Sequence, residues 1–119
     1  MNIEQLRDYC LQKPGVLESF PFGEETLVFK VGGKIFALTS LDAAPLTVNL
    51  KCDPEKAVDL REKFEAVRPG YHMNKTHWNT VLIDGTVRET DLKEWIDHSY
   101  GLVLKSLPKQ VRQEMEKRG

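Results

Sequence analysis

Apolar and polar positions along the chain follow two different periods, and the change of period outlines the predicted elements. Ile3, Leu6 and Cys10 recur at helical spacing, which predicts a first helix over about residues 3–13 that Asn2 can cap. Further along, the apolar positions alternate with polar ones, as expected for strands that have one buried face. Helical spacing returns after residue 53 and again after residue 90.

The strongest local signal is a β-hairpin. Residues 26–31 and 34–40 are rich in β-branched and aromatic side chains and flank Gly32-Gly33, which can supply the positive φ angles of a two-residue turn. Such a turn predicts that residue 29 pairs with residue 36 and residue 27 with residue 38. One face of the hairpin is then apolar and is predicted to be core: Leu27, Phe29, Val31, Phe36 and Leu38. The other face is mixed: Thr26, Val28, Lys30, Ile35, Ala37 and Thr39.

The remaining elements follow in the order strand, helix, two strands and helices. A third strand is predicted at about 46–51, and Asp53-Pro54 is typical of a helix start, with an N-cap followed by proline at the first helical position. The buried stripe of that helix is predicted to be Ala57, Leu60, Phe64 and Val67. The later predictions are a short strand at 71–73, a strand at 76–83, a turn at Asp84-Gly85, a helix from Thr90 to about Leu107, and a final helix at 108–117.

This order predicts a single α+β domain over residues 1–119. Strands joined by tight turns favour a mostly antiparallel sheet, here of about five strands, with helices packed on one face. The uncovered face would carry Lys30, Thr47, Asn49 and Lys51. Such a face suits a binding platform, but it is also what the solvated side of a half-covered sheet looks like.

Composition narrows the class of protein. The 119 residues fit one domain, and 40% apolar with 29% charged residues is typical of a soluble globular protein. No apolar run approaches the roughly 18 residues of a membrane span, and the acidic, amphipathic N-terminus does not resemble a signal peptide. Cys10 and Cys52 lie far apart without a CxxC spacing, which predicts two reduced thiols in a cytoplasmic protein.

The segment from Arg68 to Val81 is rich in hydrogen-bonding and cationic groups, and we expect it to be a contact surface. With Lys30 and Lys51 from the neighbouring strands, the candidate binding residues are Lys30, Lys51, Arg68, His72, Asn74, Lys75, His77, Trp78 and Thr80. Structural roles are the alternative. Asn74-Lys75 could form a turn, Arg68 could pair with Asp84 or Glu65, and a tryptophan on a strand is more often core than stacking platform.

No recognisable motif for chemistry accompanies this segment. His72 and His77 match no zinc-ligand spacing, and on a strand their separation of five would place them on opposite faces. The serines and cysteines lack a nucleophile signature, and Gly32-Gly33 indicates a turn rather than a phosphate loop. We therefore expect no catalytic residue, metal site or cofactor, and no enzymatic activity.

The motifs together resemble those of the MmcQ/YjbR family of small bacterial proteins over nearly the whole chain. The matching residues are Tyr9-Cys10, Lys13-Pro14-Gly15, Phe29-Lys30-Val31, Phe36-Ala37, Lys51, Arg68-Pro69, His72, Asn74-Lys75, His77-Trp78, Thr80-Val81, Asp84-Gly85 and the 97–108 segment. The resemblance implies a fold similar to frataxin, and the family's usual DNA-binding label implies a double-wing contact with DNA. An iron role like frataxin's is not expected, because the first helix offers only Glu4 and Asp8 as acids.

Two functions remain open for the Arg68–Thr80 segment. The first is a non-enzymatic DNA-binding protein, with cations on phosphates and with aromatic and amide groups on bases. The second is a small-molecule or protein interaction module that uses the same surface. The family label favours the first, whereas the net charge of −1 favours the second, since phosphate-binding domains usually carry a basic excess.

Overall fold

The computed structural model of the protein describes residues 1–71 and 73–118 and has an α+β architecture. Its helices are α1 (Ile3–Leu11), α2 (Pro54–Lys63), α3 (Glu89–Ser106) and α4 (Lys109–Arg118). Its strands are β1 (Val16–Ser19), β2 (Thr26–Val31), β3 (Lys34–Ser40), β4 (Leu46–Lys51), β5 (Val67–Pro69) and β6 (Trp78–Ile83). None of the helices in the described part of the chain has the length and apolar character needed to cross a membrane.

The strands form one sheet in the order β1-β2-β3-β4-β6-β5, and every pair of neighbours is antiparallel. The antiparallel prediction is confirmed, but the sheet has six strands rather than five. The sequence pattern missed β1 because four residues are too few to show a period. The likeness to frataxin stays a prediction.

The predicted position of the short strand, residues 71–73, is wrong. Residues 71 and 73 lie in a turn and a bend, and the strand is β5. The chain leaves α2 at Phe64, whose backbone is extended at φ −128° and ψ 120°, so Val67 belongs to β5 and not to the helix stripe. Pro69 is tolerated there because an edge strand does not need every N–H for pairing.

The hairpin register also differs from the prediction. Lys30 pairs with Ile35 as a two-residue turn requires, but Phe29 pairs with Ala37, which leaves Phe36 as an extra residue in β3. A bulge of this kind puts two consecutive side chains on one side of the sheet, and both Phe36 and Ala37 are fully buried. Beyond the bulge each side chain of β3 lies on the face opposite to the predicted one. Thr39 lies on the core face and Leu38 on the other face, whereas the prediction had Leu38 in the core.

One face of the sheet carries the core. Side chains from β2 to β6 pack there with Leu6 and Cys10 of α1, Leu60 of α2 and Ile96 of α3 in a single apolar cluster. Paired residues in an antiparallel sheet share a face. The pairs Leu38–Asn49, Asn49–Thr80 and Arg68–Thr80 therefore place these four side chains on the other face, which we call the open face.

The helix starts agree only partly with the predicted caps. Asn2 caps α1 as predicted, since its side chain accepts a hydrogen bond from the Gln5 N–H and the Gln5 side chain accepts one from the Asn2 N–H. Asp53 precedes Pro54 as predicted but makes no side-chain cap bond. Thr90 is not a cap, because α3 begins one residue earlier, at Glu89, after Arg88.

The turn between β2 and β3 has the predicted backbone. Gly32 and Gly33 adopt φ values of 58° and 81°. In this left-handed region a residue other than glycine is destabilised by about 1–2 kcal/mol. The two positions differ in their surroundings. A Cβ at Gly32 would lie 2.5 Å from Leu107 Cδ1, whereas a Cβ at Gly33 would have no neighbour within 4 Å.

Gly32→Ala should therefore destabilise the protein more than Gly33→Ala. Both substitutions strain the backbone, but only the first also overpacks the buried Leu107, which adds about 1–3 kcal/mol. Urea unfolding of both variants measures the difference. Equal losses of unfolding free energy would contradict the close contact between the turn and Leu107.

Candidate functional site

A concave groove of about 470 Å³ lies on the open face of the sheet. Its floor crosses β4 and β6, where Asn49 and Thr80 are directly paired, as are Thr47 and Leu82. One side is formed by the end of β3 and the loop after it, and the other by β5 and the residues that follow it. The described residues that line it are Ser40, Asp42, Ala43, Thr47, Asn49, Arg68, Pro69, Tyr71, Thr80 and Leu82.

A chain of two hydrogen bonds organises the floor of the groove. The Tyr71 N–H donates to Thr80 Oγ1 over 2.9 Å, and the Thr80 hydroxyl donates to Asn49 Oδ1. Asn49 is only 8% exposed, so its amide is nearly immobilised in the sheet. Since its oxygen faces Thr80, its Nδ2 group is turned away from that bond, and it donates no hydrogen bond to any described residue.

Arg68 supplies the positive charge of the groove. It pairs with Thr80 from the edge strand β5, and its side chain is exposed. The predicted ion pair with Asp84 or Glu65 is not formed, and among the described side chains no carboxylate lies within 4.0 Å of the guanidinium. The pKa of Asp84 is lowered chiefly by hydrogen bonds from Thr86, with a smaller contribution from the charge of Arg68.

The loop before β6 is built by Asn74, whose role is structural. Its Oδ1 accepts the Thr76 N–H over 2.9 Å, and its carbonyl accepts the backbone N–H groups of His77 and Trp78. The alternative prediction of a turn at Asn74-Lys75 is thus confirmed. The side-chain oxygen of Asn74 is already engaged, whereas Lys75 beside it is exposed.

Arg61 on α2 fixes this loop to the body of the domain. Its guanidinium donates to Asn79 Oδ1 over 2.6 Å and to the Lys75 carbonyl oxygen. Asn79 is 2% exposed and in turn donates to the Ala57 carbonyl. No sequence motif pointed to Arg61, because it lies fourteen or more residues before the groups that it holds.

The other candidate residues lie around this loop. Trp78 is half-buried and pairs with Lys51, so both belong to the open face at the end of the strands nearest the loop. The His77 side chain is exposed, and its carbonyl accepts the Cys52 N–H over 2.8 Å. Gly70 lies so close to Trp78 that a Cβ would approach the Trp78 carbonyl oxygen to 2.8 Å.

The structure does not bring all the predicted site residues together. Lys30 shares the open face, but β2 is four strands from β5, which separates its backbone from Arg68 by about 19 Å at the usual strand spacing. His72 lies outside the described residues. Tyr71, which is 70% exposed, lines the groove, as expected if a small molecule binds this segment, and Asn49 lines it although it was not among the predicted binding residues. The alternation of residues in the strand had predicted that Asn49 lies on the uncovered face, and this was the one feature of the sequence that pointed to it.

The two cysteine thiols are poorly placed for nucleophilic chemistry. Cys10 and Cys52 are free thiols and both are buried. Burial raises the pKa of Cys10 to about 12 and also raises that of Cys52, which disfavours the thiolate that a nucleophile needs. In the part of the chain that the structure describes, no three His, Cys, Asp or Glu residues are grouped to hold a metal ion.

Arg61→Met should destabilise the protein by about 1–3 kcal/mol, because the buried Asn79 oxygen loses its charged donor. Lys63→Met on the same helix is the control. Lys63 is exposed and pairs only with Asp59 one turn away, so its loss should cost about 0.5 kcal/mol or less. Urea unfolding compares the two, and equal stabilities would show that Arg61 does not anchor the loop.

Comparison with known proteins shows the family to which the chain belongs. The YjbR family model matches residues 11–102. The chain is 41% identical to protein YbdF of Escherichia coli O157:H7 over 107 residues, which cover 89% of this chain and 87% of YbdF. It is 35% identical to YjbR of Escherichia coli strain K12 over 112 residues, or 94% and 95% of the two chains.

Solved structures agree with this result. The crystal structure of protein DR2400 of Deinococcus radiodurans superposes with a TM-score of 0.92 at 44% identity and covers 97% of this chain and 88% of its own. A Pseudomonas syringae protein gives a TM-score of 0.76 at 29% identity, over 87% and 99% of the two chains. Sequence motifs, family model and fold all lead to the same conclusion: the chain belongs to the YjbR family.

Proposed function

We propose that this YjbR-family domain is a small-molecule-binding module whose ligand occupies the groove on the open face. The observation that carries the proposal is the groove itself. At about 470 Å³ it falls within the size range of ligand sites, roughly 300–1,000 Å³. Its lining also combines apolar surface from Ala43, Pro69, Leu82 and the Tyr71 ring with polar groups, as ligand sites do.

Ordinary solvation of a half-covered sheet does not account for the floor of this groove. Polar side chains on a solvated face are usually mobile and well exposed. Here Asn49 is 8% exposed and is hydrogen-bonded to Thr80, which is itself bonded to the Tyr71 backbone. Preorganised polar groups reduce the entropy that is lost when a ligand binds.

The proposal involves binding without a reaction. The two thiols are buried away from the groove lining, and among the described residues of the lining there is one carboxylate, Asp42, and no histidine. General acid–base catalysis usually employs such groups in pairs within hydrogen-bond reach of the reacting atoms. A binding role therefore needs no group beyond those that line the groove, whereas acid–base catalysis would need a second acid or base.

A panel of planar fragments of one to two rings, comprising cationic, neutral and anionic members, tests the proposal by ¹H–¹⁵N correlation NMR. We expect at least one member to shift the backbone amide signals of Asn49, Tyr71 and Thr80 in a saturable manner. Tyr71→Ala should weaken that binding, since it removes an exposed ring from the groove wall. Tyr9→Ala, on α1 at the covered face, is the control for loss of a tyrosine ring. A panel without any saturable shift in the groove would contradict the proposed function.

DNA binding is a second candidate, supported by the placement of Lys75. Its side chain is exposed on a loop whose backbone Arg61 holds in place, and Lys51 lies on the neighbouring part of the open face. Cations held in this way could contact phosphates. The net charge of −1 limits this candidate to a local patch.

Lys75→Glu distinguishes this candidate from the first. If DNA binds, the affinity should fall with salt, because neutralised phosphates release counterions, and should drop by about tenfold or more in Lys75→Glu. Lys34→Glu at the β2–β3 turn makes the same charge change away from the loop and should leave the affinity unchanged. Fluorescence anisotropy with labelled single- and double-stranded DNA measures both. Absence of binding at low salt would reject the DNA role.

A further inference from the structure

We infer that the ligand of the groove is a small organic anion whose carboxylate or phosphoryl group lies between Arg68 and Asn49. This inference depends on the proposed function and adds the chemical class and the orientation of the ligand. It follows from three features of the groove: its hydrogen-bond donors, their spacing and the distribution of charge.

Arg68 and Asn49 both keep N–H donors that a ligand in the groove can use. Arg68 carries five N–H donors and no acceptor, and within the described ranges it forms no ion pair. Asn49 has its oxygen engaged by the Thr80 hydroxyl, which leaves its NH₂ group. The Thr80 proton goes to Asn49, and one lone pair of the Thr80 oxygen accepts the Tyr71 N–H, so the donor that this network leaves for a ligand is the Asn49 NH₂ group.

The spacing of the two donors suits one anionic group. Arg68 and Asn49 flank Thr80 on the strands at either side, so their backbones lie about 9.5 Å apart. An arginine side chain can extend over most of that distance, so both donors can reach the same oxyanion group above Thr80. Arginine also binds carboxylate and phosphate oxygens in a bidentate manner, which fixes the orientation of the group.

The distribution of charge across the groove determines which side the anionic group of the ligand occupies. Asp42 lies in the loop after β3 and Arg68 on β5, and the order β3-β4-β6-β5 separates these two strands by three strand spacings, about 14 Å. Asp84 and Glu65 border a neighbouring depression that Arg68 also lines, and neither forms an ion pair with it. An anion is therefore attracted to the β5 side and repelled from the β3 side. Tyr71 next to Arg68 offers a ring against which a planar body can lie.

Matched probes test this inference. Benzoate, phenylphosphonate, benzamide and benzamidine share one ring and differ in the charge of the attached group. Titrations followed by ¹H–¹⁵N NMR at low salt, in a buffer free of phosphate and carboxylate, should give Kd values on the order of 1 mM for an anion, as expected for fragments of this size. Benzamide and benzamidine should bind at least about tenfold more weakly. The benzoate and phenylphosphonate results distinguish a carboxylate ligand from a phosphorylated one.

Substitutions locate the anionic group. Arg68→Gln should weaken anion binding about tenfold or more, and Asn49→Asp should do the same, because it keeps the acceptor for Thr80 but replaces the NH₂ donor with a negative charge. Arg88→Gln, at an exposed arginine before α3, is the control and should have no effect. An unperturbed spectrum away from the groove verifies that each variant is folded.

The possible outcomes separate the inference from the proposed function. If benzamide or benzamidine shifts the groove signals as strongly as the anions do, the ligand-binding role stands and the anion inference is wrong. If anions bind equally well to the wild type and to Arg68→Gln, the inference is also wrong. If none of these probes and no member of the wider fragment panel reaches the groove, the proposed function fails together with it.

Discussion

One extra residue in β3 determines which side chains of that strand reach the open face. Phe36 stands outside the β2–β3 pairing, and this bulge exchanges the two faces for the rest of the strand. Ser99 of α3 holds the bulge in place, since its hydroxyl donates to the Phe36 carbonyl and accepts the Lys51 N–H over 2.9 Å. The same contact joins β3 to β4 where their direct pairing ends, at Ala37 and Leu50. The helical layer thus fixes the register that puts Leu38 beside Asn49 on the open face.

The segment around β5 and β6 combines two roles that its composition alone does not separate. One role is structural: a loop is formed by Gly70, Asn74 and the backbone of residues 75–78. Hydrogen bonds from Arg61 hold this loop against α2. Arg68, Tyr71 and Thr80 line the groove. A dense run of polar residues can therefore be half scaffold and half binding surface. The division follows from which donors and acceptors are already engaged within the protein.

The sequence predicted the parts of the structure that local patterns control. The Gly32-Gly33 turn, the Asn2 cap and the polar face of β4 are set by neighbouring residues, and all three are confirmed. The bulge at Phe36, the strand at Val67 and the role of Arg61 depend on contacts between distant segments. Ser99, for example, lies 63 residues from Phe36. Contacts between distant residues produce no periodic pattern in the sequence. The strand pairing beyond the bulge and the anchoring of the loop could therefore be identified only from the folded structure.

The same limit applies to the candidate site. Arg68 and Thr80 were identified from their density of hydrogen-bonding groups, but their relation to Asn49 depends on β4 lying between β3 and β6. Lys30 was included because it shares the open face, although the strand order sets it far from Arg68. Strand alternation predicts a face, and only the order of the strands tells which residues on that face are neighbours.

The most direct measurement of the central claim is a crystal structure of the protein soaked with phenylphosphonate. A preorganised anion site predicts phosphonate oxygens within about 3 Å of both the Arg68 guanidinium and Asn49 Nδ2, with the phenyl ring beside Tyr71. The Thr80–Asn49 hydrogen bond should be unchanged. An empty groove at saturating concentration, or a ligand with its phosphonate turned towards Asp42, would contradict it.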